Sequence, residues 1–462
     1  MVLPSIFCRC LRIPSLATTP ELLFAFAECR AGTDDDCGTI AADSSVSATR
    51  GPASCHGGIV LKTSPTGERW SPLRMVFACG GNPAAVFVPA TQRLLVAYNA
   101  APQTGARPDP AAYGVWISEA VSQHGGLPDG SQWSVPRLAI PATAANPLLY
   151  PGPGNALVLG ADHPTHPGRL IVPTWVGPTN VACGMGPGKP RDCHAWSYYS
   201  RIAAFLSDDS GRTWKETGTV WPKNGNDEST AVETQNGDVL MFSEPGYAKC
   251  PGAPKTFPGS EHRCMLMARS SNGGDAFTGP GTGNPNASYP IEPLGHADLQ
   301  GATGAGSALS LPTAFNGSLC TPAAGKRCNR SIVYFSHDQF LGNITGDESD
   351  SHTWSLRRSN GTVRASTDGG LSFRHVLRVT RDDNLRGGVR SPIQGFGYSC
   401  LSAMPASTNG TRSRRLWEGY VGLLYETATP DSLSSSGGVS VSKLVFSMVP
   451  RLDTNAWLWE QE

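Results

Sequence analysis

Short, nearly unbroken apolar runs punctuate the chain: IVLK from Ile59, RLLVAY from Arg93, RLIVPTW from Arg169, DVLMF from Asp238, SIVYFS from Ser331 and VGLLYE from Val421. Clusters of Gly, Pro, Asn and Asp separate them, and the three-to-four spacing of an amphipathic helix is nearly absent. The pattern predicts an all-β protein. No apolar stretch approaches the roughly 18 residues of a membrane helix; even the densest, LLFAFA at 22–27, stops short.

A repeat narrows the architecture. The pattern S-x-D-x-G-x-x-aromatic occurs fully with Ser207, Asp209, Gly211 and Trp214, and again with Ser366, Asp368, Gly370 and Phe373. A third copy keeps Ser270, Gly274 and Phe277 with Asn272 in the Asp place. A fourth keeps Thr63, Gly67 and Trp70, and a fifth, around Gly130 and Trp133, keeps only the spacing. Asp and Ser side chains that bond a turn backbone, with Gly supplying a positive φ and an aromatic packed beneath, describe a hairpin staple, not a catalytic motif. One copy per four-stranded unit, with the strands from Leu416 to Val449 left for a sixth, predicts a six-bladed β-propeller occupying 1–462 as one domain. Loop insertions are expected near 38–58, 245–263 and 314–355.

Composition agrees with a turn-rich globular chain: Gly 53 and Pro 38 among 462 residues, with hydrophobic residues at 39%. Lys+Arg 37 against Asp+Glu 37 leaves no net charge with which to grip nucleic acid or an anionic surface. Thirteen cysteines suggest short-loop disulfides, Cys183 with Cys193, Cys250 with Cys264, Cys320 with Cys328, and Cys37 with Cys55. Six N-x-S/T sequons, at Asn286, Asn316, Asn329, Asn343, Asn360 and Asn409, point to a secretory pathway and a lysosomal or extracellular destination rather than the cytoplasm. The opening MVLPSIFCRCLRIPS, broken by Arg9 and Arg12, does not read as a signal peptide, so the leader is expected to be missing from this sequence.

Four segments carry candidate chemistry: RIPSLATTPELLFAFAECR from Arg12, TDDDCG from Thr33, GNDESTAVETQNGDVLM from Gly225, and GFGYSCLSAM from Gly395. Together with the repeats, they resemble exo-α-sialidases (neuraminidases) of the bacterial and animal type, whose repeats are called Asp boxes. The resemblance runs nearly the whole chain. It implies a glycoside hydrolase that removes terminal α-linked sialic acid from sialylated glycans with retention, through a covalent tyrosyl adduct. Arg12 becomes the first arm of an arginine triad on the substrate carboxylate, for which a guanidinium fork is suited.

By the same resemblance Asp36 is the acid/base, with Asp35 the alternative. Tyr398 is the nucleophile and Glu228 its base, with Glu233 the alternative; on one extended strand those two glutamates would face opposite ways. Glu426, in VGLLYET, orients Arg12, and RRSNGTVRAS supplies Arg358 as the third arginine. The second arginine departs from the family pattern, since GDVLMFSEP brings Glu244 to its place. Either Arg263 reaches in from beyond the insertion or the clamp has two arms, and the alternatives to hydrolysis are a sialic-acid-binding propeller with little or no turnover, or a trans-sialidase. No metal or cofactor is expected: His163 and His166 in ADHPTHPG are Pro-flanked and close, and GATGAGS at 301–307 lacks the Lys of a phosphate loop.

Overall fold

A computed structural model gives the fold. It describes residues 8, 10–30, 57–100, 114–122, 126–143, 148–177, 201–217, 220, 228–244, 264–279, 296–299, 306–312, 314–315, 318–319, 331–338, 361–379, 396–405, 419–433, 439–453 and 459–461. These form six sheets arranged as a six-bladed β-propeller, with no helix among the described residues.

Blade one is β1 (Cys10–Thr18), β2 (Leu23–Arg30), β3 (Gly57–Ser64) and β4 (Arg74–Ala78). Blade two holds β5 (Gly80–Val88), β6 (Arg93–Ala100), β7 (Gly114–Val121), β8 (Gln132–Trp133) and β9 (Arg137–Pro141). The inner edge of blade three is the broken run β10 (Leu148–Pro151), β11 (Gly154–Asn155) and β12 (Leu157–Val158), of which β11 pairs in parallel with β5. β13 (Leu170–Gly177), β14 (Arg201–Ser207) and β15 (Lys215–Glu216) complete it. Blade four is β16 (Ser229–Glu233), β17 (Val239–Ser243) and β18 (Leu266–Ser270).

Blade five contains β19 (Ser307–Pro312), and a separate small hairpin, β20 (Ala314–Phe315) with β21 (Ser318–Leu319), follows it. The blade continues through β22 (Ser331–Asp338), β23 (Gly361–Ser366) and β24 (His375–Arg378). Blade six is β25 (Ser399–Ala403), β26 (Tyr420–Leu433) and β27 (Val439–Pro450), after which β28 (Glu460–Gln461) returns to the edge of blade five. The expected insertion over 314–355 is corrected in part, because it contains β22, the second strand of blade five.

The apolar runs are explained by burial on both faces. On β6, Leu94, Val96 and Tyr98 pack toward blade one, while Leu95 and Ala97 pack toward blade three. Every blade is covered by two neighbours, so alternation between apolar and polar disappears and RLLVAY reads as continuous. Six such cores fill the six seams between blades, the last joining Leu16 and Leu23 of blade one to Cys400 and Leu424 of blade six. Around the axis β1 touches β5 and β25, β25 touches β19, and β19 touches β16, so the first and last blades meet and close the ring.

The repeat turns share one geometry. Ser207 Oγ accepts from Gly211 N, Ser270 Oγ from Gly274 N and Ser366 Oγ from Gly370 N, each at 2.8 Å. The three glycines hold φ between 87° and 91°, where a side chain would be strained. In blade one the acceptor is Ser64, not Thr63, because that turn is one residue shorter. The turn at Gly130 shares the aromatic bond of the repeat, since Trp133 donates its indole N–H to Gly130 O at 3.0 Å as Trp70 does to Gly67 O at 2.8 Å.

One disulfide was not among the expected pairs. Cys8 joins Cys29, tying the approach to β1 onto the end of β2. Cys79 and Cys264 are also disulfide-bonded, with partners outside the described residues, as are Cys37, Cys55, Cys183, Cys193, Cys250, Cys320 and Cys328 themselves. Cys400 is a free, buried thiol.

Candidate functional site

Inner strands of a propeller run in one direction, so their N-terminal ends and the C-terminal ends of the second strands gather at one end of the axis. That end holds Arg12 on β1, Glu228 just before β16, Tyr398 just before β25, and Glu426 on β26. The repeat turns, which follow the third strands, lie at the other end.

Arg12 and Glu426 meet across the seam between blades one and six. Glu426 is fully buried and Arg12 is 1% exposed. The Glu426 carboxylate accepts from Arg12 Nε at 3.2 Å, Arg12 Nη2 at 3.4 Å, Ile13 N at 2.8 Å and Tyr398 N at 3.4 Å. Four donors on one buried carboxylate offset the cost of removing two charges from water. They also fix the arginine strand and the tyrosine strand to one another. The Arg12 guanidinium lies 5.0 Å from the centre of the Tyr398 ring, a cation–π placement.

Backbone strain accompanies the cluster. Ile13 has φ 54°, an outlier for a β-branched residue, and the β1–β2 register slips between Arg12 and Ser15. The bond from Ile13 N to Glu426 holds this bulge. Glu228 has φ 24°, which takes it out of the regular strand that follows. Such conformations cost about 1–3 kcal/mol each and persist where the surroundings impose them.

Glu228 is buried, and Glu244 N donates to its carbonyl at 3.1 Å, which places Glu244 directly across from it at the end of β17. Glu233 stands at the opposite end of β16, where its Oε2 accepts from Gly160 N at 2.7 Å. The structure thus brings Arg12, Tyr398 and Glu426 into contact, sets Glu228 at the same end, and keeps Glu233 away. Asp35, Asp36, Arg263, Arg358 and Asn360 lie outside the described residues. Among the described residues no group of three or more His, Cys, Asp or Glu is arranged to hold a metal ion. His163 is instead a structural residue, its Nδ1 accepting from His166 N at 3.0 Å, which leaves Nε2–H to donate to Gly237 O at 2.9 Å.

Beneath this cluster lies a polar network on the axis that sequence reasoning did not single out. Asn155 Nδ2 donates to Leu401 O at 2.8 Å, and its Oδ1 accepts from Cys400 Sγ at 3.1 Å and Ser15 Oγ at 3.4 Å. Ser15 Oγ accepts from Ala85 N, and Ser307 Oγ from Leu401 N, each at 3.0 Å. β1, β5, β11, β19 and β25 are thereby joined three residues or fewer from Arg12 and Tyr398. Burial pushes the Cys400 thiol up to about 12, so it serves here as a neutral donor. Gly397 was also missed: a Cβ there would stand 2.6 Å from Glu426 Oε2. Neither carries a sequence signal, because the Asn155 network depends on contacts between blades and the Gly397 role on a contact with the neighbouring strand of its own blade.

No protein-family model and no curated protein matches the chain. Solved structures do resemble it. The Hadza microbial sialidase Hz136 shares 15% identity with a TM-score of 0.58, over 96% of this chain and 66% of that one. A Trypanosoma rangeli sialidase in complex with the inhibitor DANA shares 14% identity with a TM-score of 0.54, over 96% of this chain and 55% of that one. A protein of unknown function from Dyadobacter fermentans shares 15% identity with a TM-score of 0.52, over 96% and 95% of the two chains. The chain spans between about half and two thirds of the length of those two sialidases. At such identities the likeness establishes the fold: this chain has the six-bladed propeller fold that these sialidases share.

Proposed function

We propose that the protein is an exo-α-sialidase acting on sialylated glycoproteins, glycolipids or oligosaccharides along the secretory route. The observation that carries the reading is the contact set in which one buried carboxylate, Glu426, binds both the guanidinium of Arg12 and the backbone of Tyr398. A propeller needs no such link for stability alone, since apolar packing fills the rest of that seam.

In the proposed mechanism Arg12, with Arg358 and Arg263, holds the substrate carboxylate. The Tyr398 hydroxyl gives its proton to Glu228 and attacks the anomeric carbon, while Asp36 protonates the departing glycosidic oxygen. Water activated by Asp36 then releases the sugar, and the phenol regains its proton. A neutral phenol suits an anomeric centre that already bears a carboxylate, where an anionic nucleophile would be repelled.

One observation favours a second reading, a sialic-acid-binding propeller with little turnover. Glu244, across from Glu228, places a negative group where the resemblance calls for a clamp arginine. A fluorogenic sialoside assay decides between them. Wild type should turn over, and Tyr398→Phe should lose at least about a thousandfold in kcat while keeping its melting temperature and its affinity for sialic acid within about threefold. Binding without turnover in wild type would establish the second reading.

A further inference from the structure

Among the described residues, five of the six blades contribute a bonded group to the polar network on the axis. These are Ser15 on β1, the Ala85 N–H on β5, Asn155 on β11, Ser307 on β19, and Cys400 with the Leu401 backbone on β25. Blade four is absent from that set. Its inner strand, β16, brings Thr230 to the matching place, second in the strand as Cys400 is second in β25. Thr230 is 1% exposed, yet its Oγ1 makes no hydrogen bond among the described residues. A buried hydroxyl in that state costs free energy, because the bonds it made to solvent in the unfolded chain are not replaced. Room lies beside it. Gly154 is buried on β11 with φ 109°. A Cβ built there would find a single atom within 4 Å apart from its chain neighbours, and that atom is Thr230 Oγ1 at 3.9 Å. Asn155, the next residue, gives one Nδ2 proton to Leu401 O at 2.8 Å, and its amide carries a second.

We propose that the space between Thr230 Oγ1 and Gly154 is a binding site for one ordered water, which joins blade four to the other five at the axis. The water accepts the second Nδ2 proton of Asn155 and bonds the Thr230 hydroxyl. Two polar partners are enough to hold a buried water where the space admits one, and a hydroxyl with an amide suits a neutral ligand, since neither carries the charge that an ion would need. The bridge gives β16 a second tie to the 152–155 turn, beside the bond from Ser229 N to Gly152 O at 2.9 Å. Thr230 stands two residues after Glu228, so the tie falls on the strand that Glu228 leads into. No substrate group takes part, and the inference stands apart from the sialidase reading.

The test combines a crystal structure of the full chain, at a resolution that shows waters, with two substitutions. Wild type should show one density peak within ~2.7–3.2 Å of both Thr230 Oγ1 and Asn155 Nδ2. Thr230→Val keeps the shape of the side chain and removes the hydroxyl, whereas Thr230→Ser keeps the hydroxyl. The peak should persist in Thr230→Ser and vanish in Thr230→Val, and magnetic relaxation dispersion of the solvent should count one long-lived internal water fewer in the Val variant than in wild type. The melting temperature of Thr230→Val should fall by about 2 °C, since a bonded hydroxyl is lost. A hydroxyl without a ligand predicts the opposite sign, because removing an orphaned buried polar group stabilises a fold. Wild type without the peak, or a Thr230→Val protein that melts at or above wild type, overturns the site. A peak that survives unchanged in Thr230→Val overturns it as well, since Thr230 would then have no part in holding the water.

Discussion

At the scale of single residues, the site depends on one carboxylate that serves two strands. Glu426 neutralises Arg12, accepts the strained Ile13 N–H and holds the backbone of Tyr398. Gly397 is what lets it approach. Gly397→Ala would put a methyl 2.6 Å from Glu426 Oε2 and 3.2 Å from its Cβ, so the carboxylate must move and the arginine and tyrosine lose their common anchor. The expected result is a loss of about tenfold or more in affinity for sialic acid, together with destabilisation of about 1–3 kcal/mol, measured by titration and by urea unfolding. Glycine at 397 was visible in GFGYSCLSAM, but its reason was not, since Glu426 lies on the next strand of the blade.

At the scale of elements, the repeat turns illustrate how a local motif is energetically self-contained. The Asp209 carboxylate accepts from Ser207 Oγ at 2.8 Å, Arg212 N at 3.0 Å, Thr213 N at 2.9 Å and Thr213 Oγ1 at 2.6 Å. Burial alone would push this carboxyl up, but those bonds, led by Thr213, hold it down to about 2. A depressed carboxylate stabilises the fold fully above its unfolded value of about 3.9, and the contribution fades as pH falls toward 2. Asp209→Ala should therefore lower stability by about 1 kcal/mol at pH 7. The gap between variant and wild type should narrow in thermal melts taken from pH 4 down to pH 2. All of these partners lie within a few residues in sequence, which is why the turns could be recognised before the fold was known.

At the scale of the whole molecule, the seams set the response to acid. His337 is fully buried between blades four and five, its Nδ1–H donating to Asp338 O at 2.7 Å. Burial, with the Arg364 charge adding to it, pushes the imidazole down to about 3. In the unfolded chain it would titrate near 6.5, so the stability it contributes as a neutral group is complete above that pH and is lost progressively down to about 3. His337→Phe, beside Phe335, removes the proton-binding group while keeping a ring in the seam. Its melting temperature should fall less steeply than wild type between pH 6 and pH 4, the two proteins diverging by about 1–3 kcal/mol over that range. Equal slopes would show that other groups govern acid unfolding.

The sequence by itself determined what is local or periodic. Continuous apolar runs marked strands buried on both faces, and the Ser-Asp-Gly-aromatic turns, spaced one to a blade, led to six blades. Segments such as RIPSLATTP and GFGYS placed Arg12 and Tyr398 among the candidate site residues. Only the tertiary structure decided what passes between blades. Seams bring together residues hundreds of positions apart, as with Arg12 and Glu426, and no spacing rule encodes such a meeting. The same reason hid the Asn155 network. It is made by side chains whose partners become neighbours only when the ring closes and the inner strands converge on one axis.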